Sequence, residues 1–328
     1  MRQSKSGYIP KTTANVDHLP KIKGWDFSQK FDLSKFLSSY ATTGMQASNF
    51  SEAVAITKAM MREKAMIFLS YTSNMVSSGV RESIRYLVEK KKVHALVTTA
   101  GGIEEDLIKC LKPFVLGSFK AEGRLLYEEG VNRAGNIFVP DDRYAYFEKF
   151  VNPILETLYT EQKKTGKIIS AGELIDHLGA AINDKASILF WAHKNKIPVF
   201  CPAIMDGSLG DLLFFHKQRH RDFQLDVTED MQKIVNLALN ADRTGVICLG
   251  GGVAKHFCLN AQIFREGADF AVYINSASEF DGSDSGASTD EAVSWGKIKA
   301  SAPQVKVFGD ATILFPLLLA GVLEWKGA

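Results

Sequence analysis

The sequence predicts an α/β fold: a doubly wound, mostly parallel, Rossmann-like sheet with helices on both faces and an N-terminal helical arm. One unit recurs six times along the chain, namely a short apolar run, a turn of small and polar residues, and a helical pattern. The apolar runs are continuous rather than alternating, which is typical of parallel strands covered on both sides. With 328 residues and 46% hydrophobic residues, the chain can bury a core of that size.

The N-terminal region is predicted to precede the sheet. Residues 1–24 are polar and contain Pro10 and Pro20, so we expect an arm there. Two helices follow, at residues 32–40 and 51–64, and the second is predicted to start at a cap in Asn49-Phe-Ser-Glu52. We divide the chain into an arm with its first helix, residues 1–40, and a single main domain, residues 41–328.

Six apolar runs are the predicted strands, at residues 66–69, 95–97, 198–200, 246–249, 270–274 and 305–308. Helices are expected around residues 80–88, from Glu104 onward, and over most of residues 144–196. Because parallel strands end at one edge of a sheet, the turns that follow them should line a single cleft. Such a cleft suits a dinucleotide, although Gly250-Gly-Gly-Val-Ala-Lys255 matches neither the dinucleotide nor the phosphate-loop fingerprint.

One segment of the chain is strongly acidic. No Lys, Arg or His occurs between Arg265 and Lys297, and this interval contains Glu266, Asp269, Glu279, Asp281, Asp284, Asp290 and Glu291. Carboxylates without local cations around a Gly-Ser run favour a cationic ligand. Trp295 beside Lys297 adds an aromatic face for an alkylammonium. The residues therefore suggest a polyamine site, and a solvated acidic loop is the alternative that they leave open.

Charge and composition exclude several classes of function. A net charge of +2, from 39 basic and 37 acidic residues, gives no basic stripe for nucleic acid. The apolar run at residues 311–323 is short and contains Pro316, so no membrane association is expected. Cys110, Cys201, Cys248 and Cys258 are far apart and form no Cys-x-x-Cys pair, so structural zinc and a disulfide framework are not expected. A reducing, cytoplasmic setting is the default expectation.

Isolated candidate residues give weaker signals. His216 and His220 share a helical face, but no zincin motif surrounds them, and we expect surface histidines and no metal there. Neither Cys201 nor Ser208 lies in a nucleophile motif. His256 follows the glycine triplet, where it is either a half-buried capping residue or part of a site.

Eight segments together resemble eukaryotic deoxyhypusine synthases over nearly the whole chain. They are TTGMQASNF (42–50), YTSN (71–74), SGVRESIRYLV (78–88), TTAGG (98–102), DGSLGD (206–211), GGGV (250–253), EFDGSDSG (279–286) and EAVSWGK (291–297). The resemblance implies an enzyme that uses NAD to transfer the aminobutyl group of spermidine to one lysine of the translation initiation factor 5A precursor. This reaction is the first step of hypusine synthesis. The resemblance also implies a homotetramer with sites shared between subunits.

The resemblance assigns roles to individual residues. Lys297 would be the nucleophile that carries the aminobutyl group as an imine, and His256 would accept a proton from the reacting amine. NAD contacts would be Ser73, Asn74, Ser77, Thr99, Ala100, Gly101, Glu105, Asp206, Gly251, Ser276, Ala277, Asp310 and Ala311. Spermidine contacts would be Glu104, Glu105, Asp211, His256, Gly282, Ser283, Asp284, Glu291, Trp295 and Lys297.

Two other functions are compatible with the same motifs. A homospermidine synthase performs the same chemistry with putrescine as the acceptor, and the acceptor is chosen outside the cofactor cleft. A non-catalytic paralogue that activates a true synthase is the second alternative, although Lys297, His256 and the acidic segment are all present.

Overall fold

The computed structural model describes residues 14–323, and a six-stranded parallel sheet forms its centre. The predicted arm falls partly outside this range, since residues 1–13, including Pro10, are not described. Residues 14–32 contain turns and extended backbone and no helix or strand. The first regular element begins at Leu33.

The secondary structure alternates between strands and helices along most of the chain. The strands are β1 Met66–Tyr71, β2 Ala95–Thr98, β3 Val115–Leu116, β4 Val131–Ala134, β5 Ile137–Pro140, β6 Ile169–Ser170, β7 Val199–Phe200, β8 Leu225–Asp226, β9 Thr244–Leu249, β10 Phe270–Asn275 and β11 Gln304–Phe308. The helices are α1 Leu33–Thr43, α2 Met45–Arg62, α3 Ser73–Ser77, α4 Val80–Glu89, α5 Ala100–Leu111, α6 Gly123–Glu128, α7 Asp142–Thr165, α8 Ala171–Ile182, α9 Ile188–Asn195, α10 Ser208–Arg219, α11 Val227–Leu239, α12 Gly252–Ile263, α13 Thr289–Ser294 and α14 Ala311–Val322.

The strand order in the main sheet is β11-β10-β9-β1-β2-β7, and every neighbouring pair is parallel. The chain enters at the central strand β1, extends outward through β2 to β7, and returns to β9 on the other side of β1. The predicted doubly wound fold is therefore confirmed, and each of the six predicted apolar runs corresponds to one of these strands. The order reverses between β1 and β9, the position at which open α/β sheets bind ligands.

Side chains alternate between two cores, one on each face of the sheet. Leu69 and Ile247 point into the larger core, where they pack with residues of α4, α5 and α14. Phe68 and Val246 point into the smaller core with residues of α11 and α12. We call these two sides the α5 face and the α12 face. Strands β1, β2, β9 and β10 are buried on both faces, which explains why they appear in the sequence as continuous apolar runs.

Two helix starts differ from the prediction. The second helix begins at Met45, so the predicted cap around Ser51 is wrong and lies inside α2. The actual break is Gly44, whose φ of 93° ends α1 and begins α2. Helix α5 begins at Ala100 with Thr99 as its N-cap, four residues before the predicted start at Glu104. In both cases the start is set by backbone geometry rather than by the polar residues that suggested it.

A small antiparallel sheet, in the order β3-β5-β4, was not predicted. Its hairpin turns at Gly135-Asn136, a dipeptide that commonly connects two short strands. The largely helical character predicted for residues 144–196 is confirmed, since α7, α8 and α9 occupy most of that range. No helix among residues 14–323 combines the length and apolar character needed to cross a membrane.

Candidate active site

The residues predicted to bind the cofactor lie at the carboxyl edge of the main sheet. They occupy the turns or the helices that directly follow all six strands, from Ser73 after β1 to Ala311 after β11. Asn74, Ser77 and Asp310 line one cavity of about 560 Å³. The sequence prediction that the polar turns meet at one edge is correct in this geometric sense. What the turns bind is a separate question.

Helices α3 and α5 pack tightly at this edge. The Ser77 hydroxyl donates a hydrogen bond to the Glu105 carboxylate. A side chain at Gly101 would collide with Ser73, because an added Cβ would lie 2.6 Å from the Ser73 Cβ. Burial, followed by the charge of Glu104, raises the pKa of Glu105 to about 7.

The glycine triplet forms the turn after β9, next to the position where the strand order reverses. Gly250 and Gly252 have φ angles of 83° and 65°, which glycine adopts without strain. The Gly252 amide donates to the Ser285 hydroxyl at 3.0 Å, so this turn is joined to the acidic segment. An added Cβ on Gly251 would lie 2.5 Å from the Ser285 Cα. The triplet is therefore required for a close approach of two loops as well as for a tight turn.

Two polar atoms at the same edge fit a bound NAD molecule. The Thr99 hydroxyl after β2 and the Asn275 side-chain nitrogen at the end of β10 are buried, and neither has a hydrogen-bond partner within residues 14–323. Unpartnered buried polar atoms are uncommon because each costs about 1–3 kcal/mol. A ligand that carries hydroxyl, amide and phosphate groups can satisfy atoms of this kind. These two atoms are therefore available to a polar ligand at this edge, as the predicted cofactor would require.

The acidic segment is held by two lysines that the sequence analysis did not single out. The Lys255 ammonium is almost fully buried and donates to the carbonyls of Asp284 and Ala287. Lys306 donates to the carbonyls of Ala277 and Gly286. The two ammonium groups bind backbone carbonyls and so hold the acidic segment in its folded conformation. The only sequence signal for them was the absence of cations within the segment itself.

The folded segment forms one wall of a cavity of about 530 Å³ on the α12 face. Polar lining residues are Lys255, His256, Asp284, Ser288, Glu291, Trp295 and Lys297, and apolar ones include Met231, Leu259, Ile263 and Phe264. Six of the predicted spermidine residues therefore line this one cavity: His256, Gly282, Asp284, Glu291, Trp295 and Lys297. Acidic groups beside an apolar wall match a ligand that alternates ammonium groups with methylenes.

Lys297 is the most unusual group of this cavity. Its side chain is 7% exposed, and it makes no hydrogen bond or ion pair with any residue from 14 to 323. Its ammonium lies 5.8 Å from the centre of the Trp295 ring. The Asp284 Oδ2 atom is likewise buried and unpartnered among the described residues. An unpaired lysine and an unpaired carboxylate line one cavity.

Of the four remaining predicted spermidine residues, Ser283 lies between Gly282 and Asp284 in the acidic segment, and the other three lie elsewhere. Glu104 and Glu105 are on α5, and Asp211 is in the first turn of α10. Both helices pack on the α5 face of the sheet. Glu104 accepts a hydrogen bond from the Leu209 amide at 2.7 Å. Burial raises the pKa of this carboxyl, and the neighbouring Asp211 adds to the shift. Within one chain, the acidic residues assigned to a single ligand therefore form two groups on opposite faces of the sheet.

The structure shows the surroundings of the isolated residues that the sequence analysis considered as candidate site residues. His256 is exposed in the second turn of α12 and bonds to Asn260 at 3.0 Å, so it does not cap the helix. Cys201 is buried, which raises the pKa of its thiol to about 12 and makes a nucleophilic role unfavourable. The expectation of surface histidines is wrong for His216, whose side chain is fully buried between α7 and α10. All four cysteines are free thiols.

A family model for deoxyhypusine synthase matches residues 35–322 of this chain. The chain belongs to the deoxyhypusine synthase family. It is 48% identical to the Arabidopsis thaliana deoxyhypusine synthase over 333 residues, which covers 93% of this chain and 90% of the relative. It is 46% identical to that of Candida glabrata over 349 residues, covering 93% and 91% of the two chains. The predictions of this family and of an enzyme are thus confirmed.

A solved structure supports the same assignment. The chain is similar to the crystal structure of a protein assigned as a deoxyhypusine synthase from Entamoeba histolytica, with a TM-score of 0.67 and 31% identity. The match covers 92% of this chain and 96% of the other. All the segments that carry the sequence resemblance lie inside residues 35–322, the range matched by the deoxyhypusine synthase model.

Proposed function

We propose that the chain transfers the aminobutyl group of spermidine to a lysine of the translation initiation factor 5A precursor, with NAD as cofactor, in the cytoplasm. The observation that carries this proposal is Lys297, a buried and unpartnered lysine that lines a cavity with Asp284 and Glu291. A lysine that is structural finds acceptors, as Lys255 does. A lysine held without acceptors beside carboxylates is placed to react with a bound amine-derived electrophile.

Spermidine would bind in the cavity on the α12 face. Asp284 offers a carboxylate oxygen that has no partner in the described part of the chain, and Glu291 offers a second carboxylate in the same cavity. The apolar wall of Leu259 and Ile263 would contact the methylenes between the amines. The Trp295 ring would cover an ammonium or the neutral carbon chain.

NAD would bind at the carboxyl edge of the sheet, where Thr99 and Asn275 hold unpartnered polar atoms. When bound, it supplies a hydride acceptor and returns the hydride at the end of the cycle, so no net oxidation results. Lys297 would attack the oxidised aminobutyl group, release diaminopropane and hold the group as an imine until the acceptor lysine replaces it. The exposed His256 ring would accept a proton from the reacting amine.

The assembly is part of the proposal. Glu104 and Asp211 lie on the opposite face from Lys297. A homotetramer with shared sites would bring the acidic group of one subunit to the lysine cavity of another. This arrangement would explain why residues assigned to one ligand are divided between two faces of each chain.

The test is an assay of the purified chain with NAD and labelled spermidine. Release of diaminopropane without an acceptor supports the first half of the reaction. Label is then followed into the factor 5A precursor or into putrescine, added in parallel. Transfer to the precursor supports the proposal, whereas transfer to putrescine alone would identify a homospermidine synthase. No release, unless a second paralogue is added, would indicate the non-catalytic subunit.

A further inference from the structure

A second cluster of ionisable side chains lies between α7 and α10. His216 and His220 are one turn apart on α10, and Glu156 on α7 faces both rings. The Glu156 Oε2 atom is 2.8 Å from the His220 Nε2 atom. The Glu156 Oε1 atom is 3.5 Å from the His216 Nδ1 atom. No residue of this cluster lines the cavity on the α12 face that contains Lys297.

His216 is the feature of the cluster that its surroundings do not explain. Its side chain is fully buried, yet neither ring nitrogen has a hydrogen-bond partner among residues 14–323. Buried imidazoles nearly always bind a donor, an acceptor or a metal through at least one nitrogen. The contact with Glu156 at 3.5 Å is too long to satisfy it.

The three side chains can place one ligand atom each within 4.8 Å of one another. Two imidazoles and one carboxylate are a common ligand set for zinc, with bonds of about 2.0–2.2 Å, which puts tetrahedral ligand atoms roughly 3.3–3.6 Å apart. We propose that Glu156, His216 and His220 form a binding site for a divalent transition metal, with Zn²⁺ as the best fit. The remaining coordination position would be filled by water.

The surroundings orient the histidines for this purpose. The Tyr159 ring stacks on His220 with centroids 4.0 Å apart, and the Tyr159 hydroxyl bonds to Asp222. Phe223 packs edge-on against His216 at 4.7 Å. Rings that are fixed in this way lose little conformational entropy when they bind an ion. A bound metal would fasten α7 to α10, the helix whose first turn holds Asp211.

One neighbouring charge opposes the ion. Arg219 lies 3.5 Å from Glu156 and is about half exposed, so it competes for the same carboxylate and can move into solvent. Removing Arg219 is therefore expected to strengthen metal binding, whereas removing a metal ligand weakens it. An Arg219→Gln variant should bind the metal several-fold more tightly, because the carboxylate no longer has a permanent cation beside it.

The experiment uses the full chain without a histidine tag and follows metal binding, not activity. Zn²⁺ is titrated by calorimetry, and Co²⁺ by the visible absorption that a tetrahedral site with nitrogen ligands produces. The proposal expects one ion per chain at this site. His220→Ala and Glu156→Gln should each weaken binding at least tenfold; both side chains are partly exposed, so folding should survive. His216→Ala is a poorer probe because it opens a cavity in the core.

The matched control is His193→Ala. His193 pairs with Asp176 at 2.9 Å on the surface but belongs to no group of three potential metal ligands within residues 14–323, so its loss should leave the titration unchanged. Equal affinity in the parent, His220→Ala and Glu156→Gln would overturn the proposal. So would the absence of any Zn²⁺ or Co²⁺ binding by the folded parent chain, or stronger loss of binding in His193→Ala than in His220→Ala.

Discussion

Two buried lysines illustrate how much the surroundings of a residue determine its role. Lys255 and Lys297 both line the cavity on the α12 face, and both are almost inaccessible to solvent. Lys255 donates to two backbone carbonyls, and burial lowers its pKa. Lys297 has no such partner among residues 14–323. One lysine therefore holds the loop together, and the other supplies the nucleophile only in the function proposed above.

Replacing Lys297 tests its proposed role directly. Lys297→Ala should reduce aminobutyl transfer to background while NAD still binds, because the lysine supplies the covalent carrier and not the cofactor pocket. Lys297→Arg should be equally inactive, since a guanidinium stays protonated. Lys299→Ala, which breaks a partly exposed ion pair with Asp269, is the control and should retain transfer. Near-normal product from either Lys297 variant would remove this residue from the mechanism.

The carboxylates of the cavity are tested by neutralising them. Asp284→Asn or Glu291→Gln should raise the spermidine requirement about tenfold or more and leave the NAD requirement nearly unchanged. A carboxylate ~4 Å from an ammonium interacts by up to about 4 kcal/mol at an effective dielectric of 20, before desolvation is subtracted. Asp290→Asn is the matched control, because Asp290 is exposed and does not line the cavity. Equal spermidine titrations for all three variants would favour a solvated acidic loop.

Glu105 predicts a pH dependence of stability. Its pKa is raised from 4.5 to about 7, so the folded state binds the proton more tightly than the unfolded state does. Its contribution to stability is present below pH 4.5, declines between pH 4.5 and 7, and is lost above pH 7. Glu105→Gln should therefore gain about 3 kcal/mol relative to the parent between pH 4.5 and 8. Urea unfolding at several pH values measures this difference.

The control for this effect is Glu161→Gln, an exposed carboxylate on α7. Its stability relative to the parent should change little over the same pH interval. A Glu105→Gln curve that runs parallel to the parent curve at all pH values would show that burial does not shift this carboxyl.

At the scale of elements, the segment between β10 and α13 depends on distant cations. Lys255 reaches it from α12, and Lys306 reaches it from β11. Lys255→Met should lower the free energy of unfolding by about 2–4 kcal/mol, because the freed carbonyls of Asp284 and Ala287 lose a charged donor. Spermidine binding should weaken as well. Lys233→Met, in an exposed pair with Glu229, should cost less than about 1 kcal/mol in the same urea unfolding experiment.

Strands were easier to predict than helix starts, for a physical reason. The apolar runs such as residues 66–69 and 246–249 are buried on both faces, so composition alone marks them. Helices α2 and α5 begin where the backbone turns, at Gly44 and Thr99, and polar residues further along gave the wrong start. Strands β3, β6 and β8 have two residues each and were not predicted, whereas the equally short β7 was predicted from the apolar run at residues 198–200.

At the scale of the whole molecule, the carboxyl edge of the sheet should behave as one binding surface. Asp206 follows β7 and Asp310 follows β11, the two outermost strands. Asp206→Ala and Asp310→Ser should both weaken NAD binding, by about tenfold, without unfolding the chain. Serine is chosen at 310 because the aspartate caps α14, and a hydroxyl preserves that cap. Fluorescence titration with NAD measures both affinities.

Asp226→Ser provides the comparison for this pair. Asp226 also caps a helix, α11, but it is the last residue of β8, a strand outside the main sheet. Its replacement should leave NAD affinity unaltered. If Asp206→Ala and Asp310→Ser bind NAD as tightly as Asp226→Ser does, the turns at the carboxyl edge do not form a single cofactor site.

The sequence by itself determined the fold class, the six strands of the main sheet, the family and the acidic segment that lines the cavity. Each of these is encoded locally, in apolar runs or in contiguous motifs such as EFDGSDSG at 279–286. Only the tertiary structure decided which groups meet. It brought Lys255 to the acidic segment, left the Lys297 ammonium without a hydrogen-bond partner in residues 14–323, buried His216 against Glu156, and separated Glu104 from Lys297 across the sheet. These relations depend on contacts between residues far apart in the chain, and no local pattern records them.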